Sequence, residues 1–130
     1  MAKCILVRGL PGSGKSTFAK SHFNCVILEN DMWHEIDGKY QWSAASMKDA
    51  VQWVMLTAEF MLSHGRDVCI CNTFVKRALV EVYKKIAEKH DAKFDVYRCS
   101  SDYGNTHDVP KHVLDNMKAG FEDWPGEVFV

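Results

Sequence analysis

The amino-acid sequence predicts an α/β fold of three layers, with a parallel sheet of four to five strands between helices on both faces. Apolar segments typical of buried strands alternate along the 130 residues with segments of helical period. Such alternation is typical of βαβ units, whose right-handed crossovers place helices on both faces of one sheet. A glycine-rich stretch at residues 9–17 (GLPGSGKST) joins the first strand-type segment to the first helical one. We therefore expect a ligand at the carboxyl edge of the sheet.

The predicted elements follow one another at short intervals. The first strand is apolar at successive positions, as expected for a strand covered on both faces. Gly65 stops the second helix, and Pro110 suits the first turn of the fourth. Residues 32–42 and the loop at 100–109 have no assigned element. The predicted strands are 3–8, 25–28, 67–71, 93–99 and a candidate fifth at 128–130, and the predicted helices are 15–23, about 43–64, about 76–90 and 110–121.

Hydrophobic periodicity also predicts which residues of the two longest helices face the core. In both helices apolar residues recur at intervals of three and four positions. The predicted inward residues are Met47, Val51, Val54, Ala58 and Met61 or Leu62 in the second helix, and Leu79, Val82, Tyr83, Ile86 and Ala87 in the third.

Composition indicates a single globular domain over residues 1–130. Apolar residues make up 47% of the chain and charged residues 25%, which is ordinary for such a domain. The net charge of −1 argues against a strong general affinity for nucleic acid, although a local basic groove is compatible with it. The longest apolar stretch, residues 51–62, is too short and too polar to span a bilayer, so no membrane association is expected.

The cysteines are odd in number and lie in or beside predicted strands. We interpret them as reduced and largely buried, which predicts a cytoplasmic location. Two of them form a C-x-C pair rather than C-x-x-C, and with no second pair nearby a zinc site is not expected. The five are Cys4, Cys25, Cys69, Cys71 and Cys99.

The glycine-rich stretch fits the pattern G-x-x-x-x-G-K-[ST] of a phosphate-binding loop. Glycines let backbone N–H groups turn toward phosphate oxygens, and the helix N-terminus adds partial positive charge. Lys15 can reach the β- and γ-phosphates, and the Ser16 hydroxyl can bind Mg²⁺. We therefore predict ATP and Mg²⁺ as ligands. The predicted nucleotide-binding residues are Gly9, Gly12, Ser13, Gly14, Lys15, Ser16 and Thr17.

Asp31, just past the second predicted strand, is the candidate general base. Phosphoryl transfer to a hydroxyl needs a carboxylate that orients and deprotonates the acceptor. Asp31 lies within reach of the γ-phosphate region and can share the metal ion with Ser16. A helix N-cap or a surface acid is the alternative interpretation. Glu29 takes the role of the base if the register of the strand differs.

The end of the third predicted strand carries an amide, Asn72, followed by Thr73. Many phosphate-loop proteins have an aspartate here that holds the Mg²⁺ shell. An amide can hydrogen-bond a metal-bound water but brings no charge, and Asn72 could instead cap the turn before the third helix. Lys76 and Arg77 start that helix, where they could contact an acidic acceptor or form a solvated charged face.

These elements together resemble the polynucleotide-kinase-like branch of the P-loop kinases, which includes phage polynucleotide kinase and the kinase domain of the NEDD4-binding protein 2 group. The resemblance covers nearly the whole chain and implies a P-loop NTPase fold. It rests on residues 8–17 (RGLPGSGKST), Asn30-Asp31, Asn72-Thr73, residues 105–110 (NTHDVP), which are similar to that group's N-x-H-G-V-P element, and a following helix with a pattern like residues 117–122.

The resemblance also implies roles for single residues. The loop lysine and serine match the contacts to ATP and Mg²⁺, and Asp31 matches the general base. His34 stands where the phage kinase has an acceptor-binding arginine. The family's lid arginine maps near Gly104, which has no side chain, and Arg98 at the end of the fourth strand is the candidate that replaces it.

Three functions of different classes are compatible with these residues. The first is transfer of the ATP γ-phosphate to a polynucleotide 5′-hydroxyl, so that nucleic acid 5′ ends are candidate partners. The second is a kinase for a nucleoside, nucleotide or other small molecule, and the third is an ATP-binding protein with little catalysis. A base of a polynucleotide could stack on Trp33, Tyr40 or Trp42, although core packing also explains these aromatics. The predicted substrate-binding residues are His34, Asn72, Thr73, Lys76 and Arg77, with Lys111 nearby.

Overall fold

Helices and strands alternate along the chain as the sequence predicts. A computed structural model of the protein describes residues 1–36, 39–40, 44–102 and 109–130, with side chains at 1–32, 46–102 and 109–130. In chain order the elements are β1 (Lys3–Arg8), α1 (Lys15–His22), β2 (Val26–Glu29), α2 (Asn30–His34), β3 (Glu35–Ile36), β4 (Lys39–Tyr40), α3 (Ala44–Ser63), β5 (Val68–Asn72), α4 (Arg77–Lys89), β6 (Lys93–Arg98), α5 (Lys111–Gly120) and β7 (Val128–Phe129).

Five strands form one parallel sheet in the order β2-β5-β1-β6-β7, and β3 pairs with β4 separately in antiparallel fashion. This confirms the predicted fold class, including the candidate fifth strand. Arg8 is level with Asn72 on one side and with Arg98 on the other, and Glu29 pairs with Cys71. The loop that follows β1 therefore leaves the sheet at its centre, between the ends of β5 and β6.

The two faces of β1 belong to different core clusters. Cys4 and Leu6 pack with buried residues of α3 and α4, whereas Ile5 and Val7 pack against Ala19 of α1. Helices thus cover both faces of the sheet, which explains why β1 is apolar at successive positions. Among the described helices, none is both long and apolar enough to cross a membrane.

Local details differ from the sequence predictions at four places. The strand predicted at 25–28 runs one residue later, and residues 30–34, which the sequence analysis left as a strand end and an unassigned segment, form the short helix α2. In α4, Val80 is buried whereas Leu79 is 39% exposed, and in α3 the buried positions include Ala50. Adjacent apolar residues allow two neighbouring helical stripes, and the packing against the sheet decides between them.

Candidate nucleotide-binding site

The glycine-rich loop is anchored at both of its ends. The Gly9 N–H donates to the carbonyl of Thr73 at 3.3 Å, which ties the start of the loop to the chain that follows β5. The Ser13 N–H donates to the Leu10 carbonyl at 3.1 Å, and the Phe18 N–H closes the first turn of α1 on the Gly14 carbonyl at 2.9 Å. The loop therefore forms a compact turn between the central strand and the N-terminus of α1.

Two glycines in this turn cannot be replaced without strain. Gly14 precedes α1 with a φ of 86°, in the left-handed region that side chains disfavour. A Cβ on Gly9 would lie 2.4 Å from the Ser13 Oγ and 2.8 Å from the Cys99 carbonyl oxygen. The backbone at Gly9 is thus in such close contact with its neighbours that only glycine fits.

The Ser13 hydroxyl is buried and, among the described residues, its Oγ has no hydrogen-bond partner. An unsatisfied buried hydroxyl costs roughly 1–3 kcal/mol, so native proteins rarely retain one without a reason. Among the described residues no side chain caps the N-terminus of α1, and the first turn of this helix contains no acidic residue. An anion such as a phosphate fits this loop, because it would satisfy the hydroxyl and the N–H groups at the start of the helix.

Lys15 extends over the loop rather than into solvent. Its Nζ donates to the carbonyls of Gly9, at 3.1 Å, and Leu10, at 2.9 Å. Burial lowers the pKa of the ammonium, and the nearby carboxylates of Glu29 and Asp31 oppose this effect to a smaller extent. The charges of Glu29 and Asp31 therefore lie near enough to Lys15 to oppose the lowering of its pKa.

Ser16 contacts a residue that the sequence analysis treated only as a fallback. Its hydroxyl donates to the carboxylate of Glu29, the last residue of β2. Asp31 follows two residues later, in the first turn of α2. Both oxygen groups of the Ser16–Glu29 pair are hard donors of the kind that Mg²⁺ prefers, so the residues present fit this metal ion. No group of three or more His, Cys, Asp or Glu side chains in the described part of the chain could hold a metal on its own, so such an ion would depend on nucleotide phosphates.

The predicted substrate residue Asn72 ends β5, and its amide is used locally. The Asn72 Oδ1 accepts the N–H of Thr73 at 2.8 Å, and the carbonyl of Thr73 in turn accepts the N–H of Gly9. This bond corresponds to the turn-capping alternative for Asn72, and it helps to fix the start of the phosphate-binding loop.

Arg98 lies on the opposite side of the loop, where β6 meets β7. Its guanidinium bonds Asp123 at 2.5 Å and Glu127 at 3.2 Å, and it lies 4.4 Å from the centre of the Phe121 ring and 5.1 Å from that of Phe129. These contacts favour a role in holding the C-terminal segment, and the proposed lid role of Arg98 stays a prediction.

The two cations at the start of α4 contact the last residue of α5 and the segment that follows it. Lys76 Nζ donates to the Gly120 carbonyl at 3.1 Å, and the backbone N–H of Arg77 donates to Glu122. Arg77 also lines a surface cavity of about 580 Å³ that shares no residue with the loop, which has its own cavity of about 240 Å³. The smaller cavity is lined by Ser13, Gly14, Thr17, Phe18, Ser21, His22, Cys99, Ser101 and Val130.

Several predicted positions lie outside the described side chains. They are His34, the aromatic residues Trp33, Tyr40 and Trp42, and the lid region around Gly104. Sequence analysis also gave no role to Arg8, whose charge follows four apolar residues directly before a glycine. A charged residue at the end of a buried strand could have indicated a buried ion pair, since a buried cation needs a partner elsewhere in the chain.

Comparison with known proteins identifies the family. A family model described as an AAA domain (AAA_33) matches residues 4–105. The chain belongs to this family. An uncharacterized protein of Pasteurella multocida is 30% identical over 142 residues, which cover 96% of this chain and 79% of that protein. Human NEDD4-binding protein 2 is 32% identical over 94 residues, which cover 68% of this chain but only 5% of the human protein.

Solved structures of low sequence identity show the same fold for this AAA-domain family member. Chaetomium thermophilum Kti12, crystallised with ADP-AlF3, superposes with a TM-score of 0.74 at 14% identity, over 98% of this chain and 88% of Kti12. A sugar kinase from Janibacter superposes with a TM-score of 0.68 at 16% identity, over 100% of this chain and 84% of the kinase. These similarities confirm the predicted P-loop NTPase fold, and the similarity to NEDD4-binding protein 2 agrees with part of the predicted resemblance.

Proposed function

We propose that this protein is an ATP-dependent phosphotransferase and that its acceptor is a polynucleotide 5′-hydroxyl. The observation that carries the nucleotide-binding part of the proposal is the buried Ser13 hydroxyl, which has no partner among the described residues and lies in a loop whose Lys15 ammonium covers the same turn. The kinase-like fold and the AAA-domain family support the transferase class. The five free cysteines are compatible with a reducing cytoplasm, which we propose as the location.

Each group near the loop has a place in the proposed reaction. Lys15 and the N–H groups before α1 neutralise phosphate charge. Asp31 accepts the proton of the acceptor hydroxyl. At the same time the hydroxyl oxygen forms a bond to the γ-phosphorus, and the bond between that phosphorus and the bridging oxygen breaks, so that ADP leaves with the electron pair. Ser16 would bind Mg²⁺, which when present neutralises charge on the β- and γ-phosphates.

The acceptor divides the proposal into two candidates. The resemblance of the sequence to the polynucleotide-kinase-like motifs supports a polynucleotide end. A small-molecule acceptor is the second candidate, because Lys76 is bonded to the Gly120 carbonyl and Arg77 lines a separate cavity, which weakens the expected basic cluster beside the loop. The fold of the Janibacter sugar kinase is compatible with this second candidate.

The first test is nucleotide binding to Lys15→Ala by isothermal titration calorimetry. We expect a loss of ATP affinity of roughly a hundredfold, since a charged hydrogen-bonding partner of the phosphates is removed. Lys20→Ala is the matched control, because Lys20 is an exposed lysine of the same helix. Equal ATP affinity of Lys15→Ala and the wild type would contradict the assignment of the loop.

The second measurement follows labelled γ-phosphate into a panel of acceptors. The panel contains a 5′-hydroxyl oligonucleotide, nucleosides, nucleotides, sugars and water, at low and moderate salt. Transfer to the oligonucleotide that weakens as salt rises supports the polynucleotide acceptor. Preference for a nucleoside, nucleotide or sugar establishes the second candidate, and tight ATP binding without any transfer leaves a nucleotide-binding protein.

A further inference from the structure

We propose that Glu29, the last residue of β2, supplies the carboxylate of the metal-ion shell at this site, while Asp31 is left to the acceptor. The inference rests on the proposed function, because a metal ion here accompanies a nucleotide. It assigns different tasks to two carboxylates that are only two residues apart in the sequence.

The first observation is the contact of Glu29 with Ser16. The carboxylate accepts the hydrogen bond of the hydroxyl that, in a phosphate-binding loop, is the protein's own metal ligand. If Mg²⁺ bound at this hydroxyl, the Glu29 carboxylate would be placed to bind the ion or to accept a hydrogen bond from a water on it. Magnesium sites at nucleotides use one or two carboxylates together with phosphate oxygens and water.

The second observation is that β5 brings no charge to this position. Asn72 ends that strand, and its Oδ1 already accepts the N–H of Thr73. The strand order places β2 directly beside β5, and Glu29 pairs with Cys71, the residue just before Asn72. The carboxylate is therefore on the neighbouring strand, about one residue below the level at which the amide stands.

The third observation is the change of chain direction between the two acids. Glu29 is still extended and paired within the sheet, whereas Asp31 is already in the first turn of α2. Both charges act on Lys15, so both are near the phosphate-binding loop. The contact to Ser16 marks Glu29 as the residue on the metal side, and Asp31 keeps the role of general base that the proposed function gives it.

A purely structural role for Glu29 is the competing explanation. A carboxylate near the start of α1 also stabilises the helix dipole and holds the Ser16 hydroxyl. Glu29→Gln separates the two roles, because the amide oxygen can still accept the hydrogen bond but carries no charge. The variant is compared with Asp31→Asn and with the double variant Glu29→Gln/Asn72→Asp, which returns a carboxylate to the neighbouring strand end.

The experiment is a titration of Mn²⁺ in the presence of ADP, followed by electron paramagnetic resonance of the free ion. We expect Glu29→Gln to weaken Mn²⁺ binding by about tenfold or more, the usual scale for loss of a supporting carboxylate. Asp31→Asn should change it less than about threefold, and Asn72→Asp should restore part of the loss in the double variant. Circular dichroism and thermal melting establish that each variant is folded.

Metal-free nucleotide affinity provides the readout that a structural role would not produce. With EDTA present, Glu29→Gln should bind ADP as tightly as the wild type or more tightly, because a negative charge near the phosphates has been removed. A disrupted loop would weaken ADP binding both with and without metal, which would overturn the inference. Unchanged Mn²⁺ affinity in a variant that binds ADP normally would overturn it too and would leave the kinase proposal intact. Wild-type affinity in Lys15→Ala would instead contradict the kinase proposal itself.

Discussion

Two groups of charged residues lie at the same end of the sheet, and they differ in where their partners are. The loop cluster consists of Lys15, Ser16, Glu29 and Asp31, on the β2 side. The arginine cluster consists of Arg8, Arg98 and Glu127, on the β6–β7 side. Both form at the carboxyl ends of strands, so position in the fold alone does not distinguish a structural group from a chemical one.

In the arginine cluster the described hydrogen bonds join the charged groups to one another and to backbone groups. The Arg8 side chain is fully buried, and its guanidinium donates to the Phe74 carbonyl, to the Glu122 carbonyl at 2.7 Å and to Glu127 at 2.8 Å. The other oxygen of Glu127 bonds Arg98 at 3.2 Å and the Trp124 N–H at 3.0 Å. Burial lowers the pKa of Arg8, and the bond and the charge of Glu127 oppose that effect.

The loop cluster has a different arrangement of donors and acceptors. Lys15 bonds only carbonyls of its own loop in the hydrogen bonds described for it, and the adjacent Ser13 hydroxyl has no partner among the described residues. The arginine cluster, in which the charged groups bond one another, stabilises the fold. The loop cluster has a donor, the Ser13 hydroxyl, that bonds no acceptor among the described residues, and this suits an anionic ligand. The difference explains why we assign nucleotide chemistry to one side and support of the C-terminal segment to the other.

The largest expected effect on folding separates the two clusters. Glu127→Gln should lower the free energy of unfolding by about 3 kcal/mol or more, because the buried Arg8 charge loses its counter-charge. Asp123→Asn is the matched control on Arg98, and since Asp123 is 85% exposed it should cost roughly 1 kcal/mol or less. Urea denaturation measures both. Equal losses of unfolding free energy for the two substitutions would show that burial does not determine how much these ion pairs contribute to stability.

Substitutions in the loop cluster should show the opposite pattern, with a large change in turnover and little change in stability. Asp31→Asn should reduce turnover by roughly a hundredfold, the usual scale for loss of a general base, with little change in melting temperature or ATP affinity. Steady-state phosphate transfer and thermal melting check the two parts. Asp49→Asn, at an exposed position of α3, is the control. Full activity of Asp31→Asn would move the base to another residue.

The smallest expected effect is on the pH dependence of nucleotide binding. Burial lowers the pKa of Lys15 from its ordinary value of 10.5, so Lys15 loses its proton at a lower pH than a free lysine does. ATP affinity should therefore begin to fall with rising pH below 10.5, which calorimetry across the alkaline range measures.

The stability of the folded protein should respond to pH in the opposite direction from ATP affinity. In that range the folded protein binds fewer protons at Lys15 than the unfolded chain does, so the contribution of Lys15 to the free energy of unfolding rises with pH. Lys15→Arg is the control, since the guanidinium stays protonated throughout. An identical alkaline decline of ATP affinity in this variant would assign the titration to another group.

Local patterns in the sequence were sufficient for the fold and for the loop. Strand-type runs, helical periods and the G-x-x-x-x-G-K-[ST] pattern predicted the five strands of the parallel sheet and the four longer helices, whereas α2, β3 and β4 were not assigned. These features depend on residues close together in the chain, which a sequence displays directly. The polynucleotide acceptor and the roles of single site residues stay predictions, because the side chain of His34 and the lid near Gly104 lie outside what the structure describes.

Tertiary structure decided which charged residues meet. Ser16 contacts Glu29 because β2 ends beside the loop with its last residue still in the sheet, a detail that a shift of one residue in the predicted strand would miss. Arg8 pairs with Glu127, 119 positions further along the chain, because β7 closes against β6. Propensity and periodicity act over a few residues, whereas these pairings depend on strand order and on burial, which exist only once the sheet is assembled.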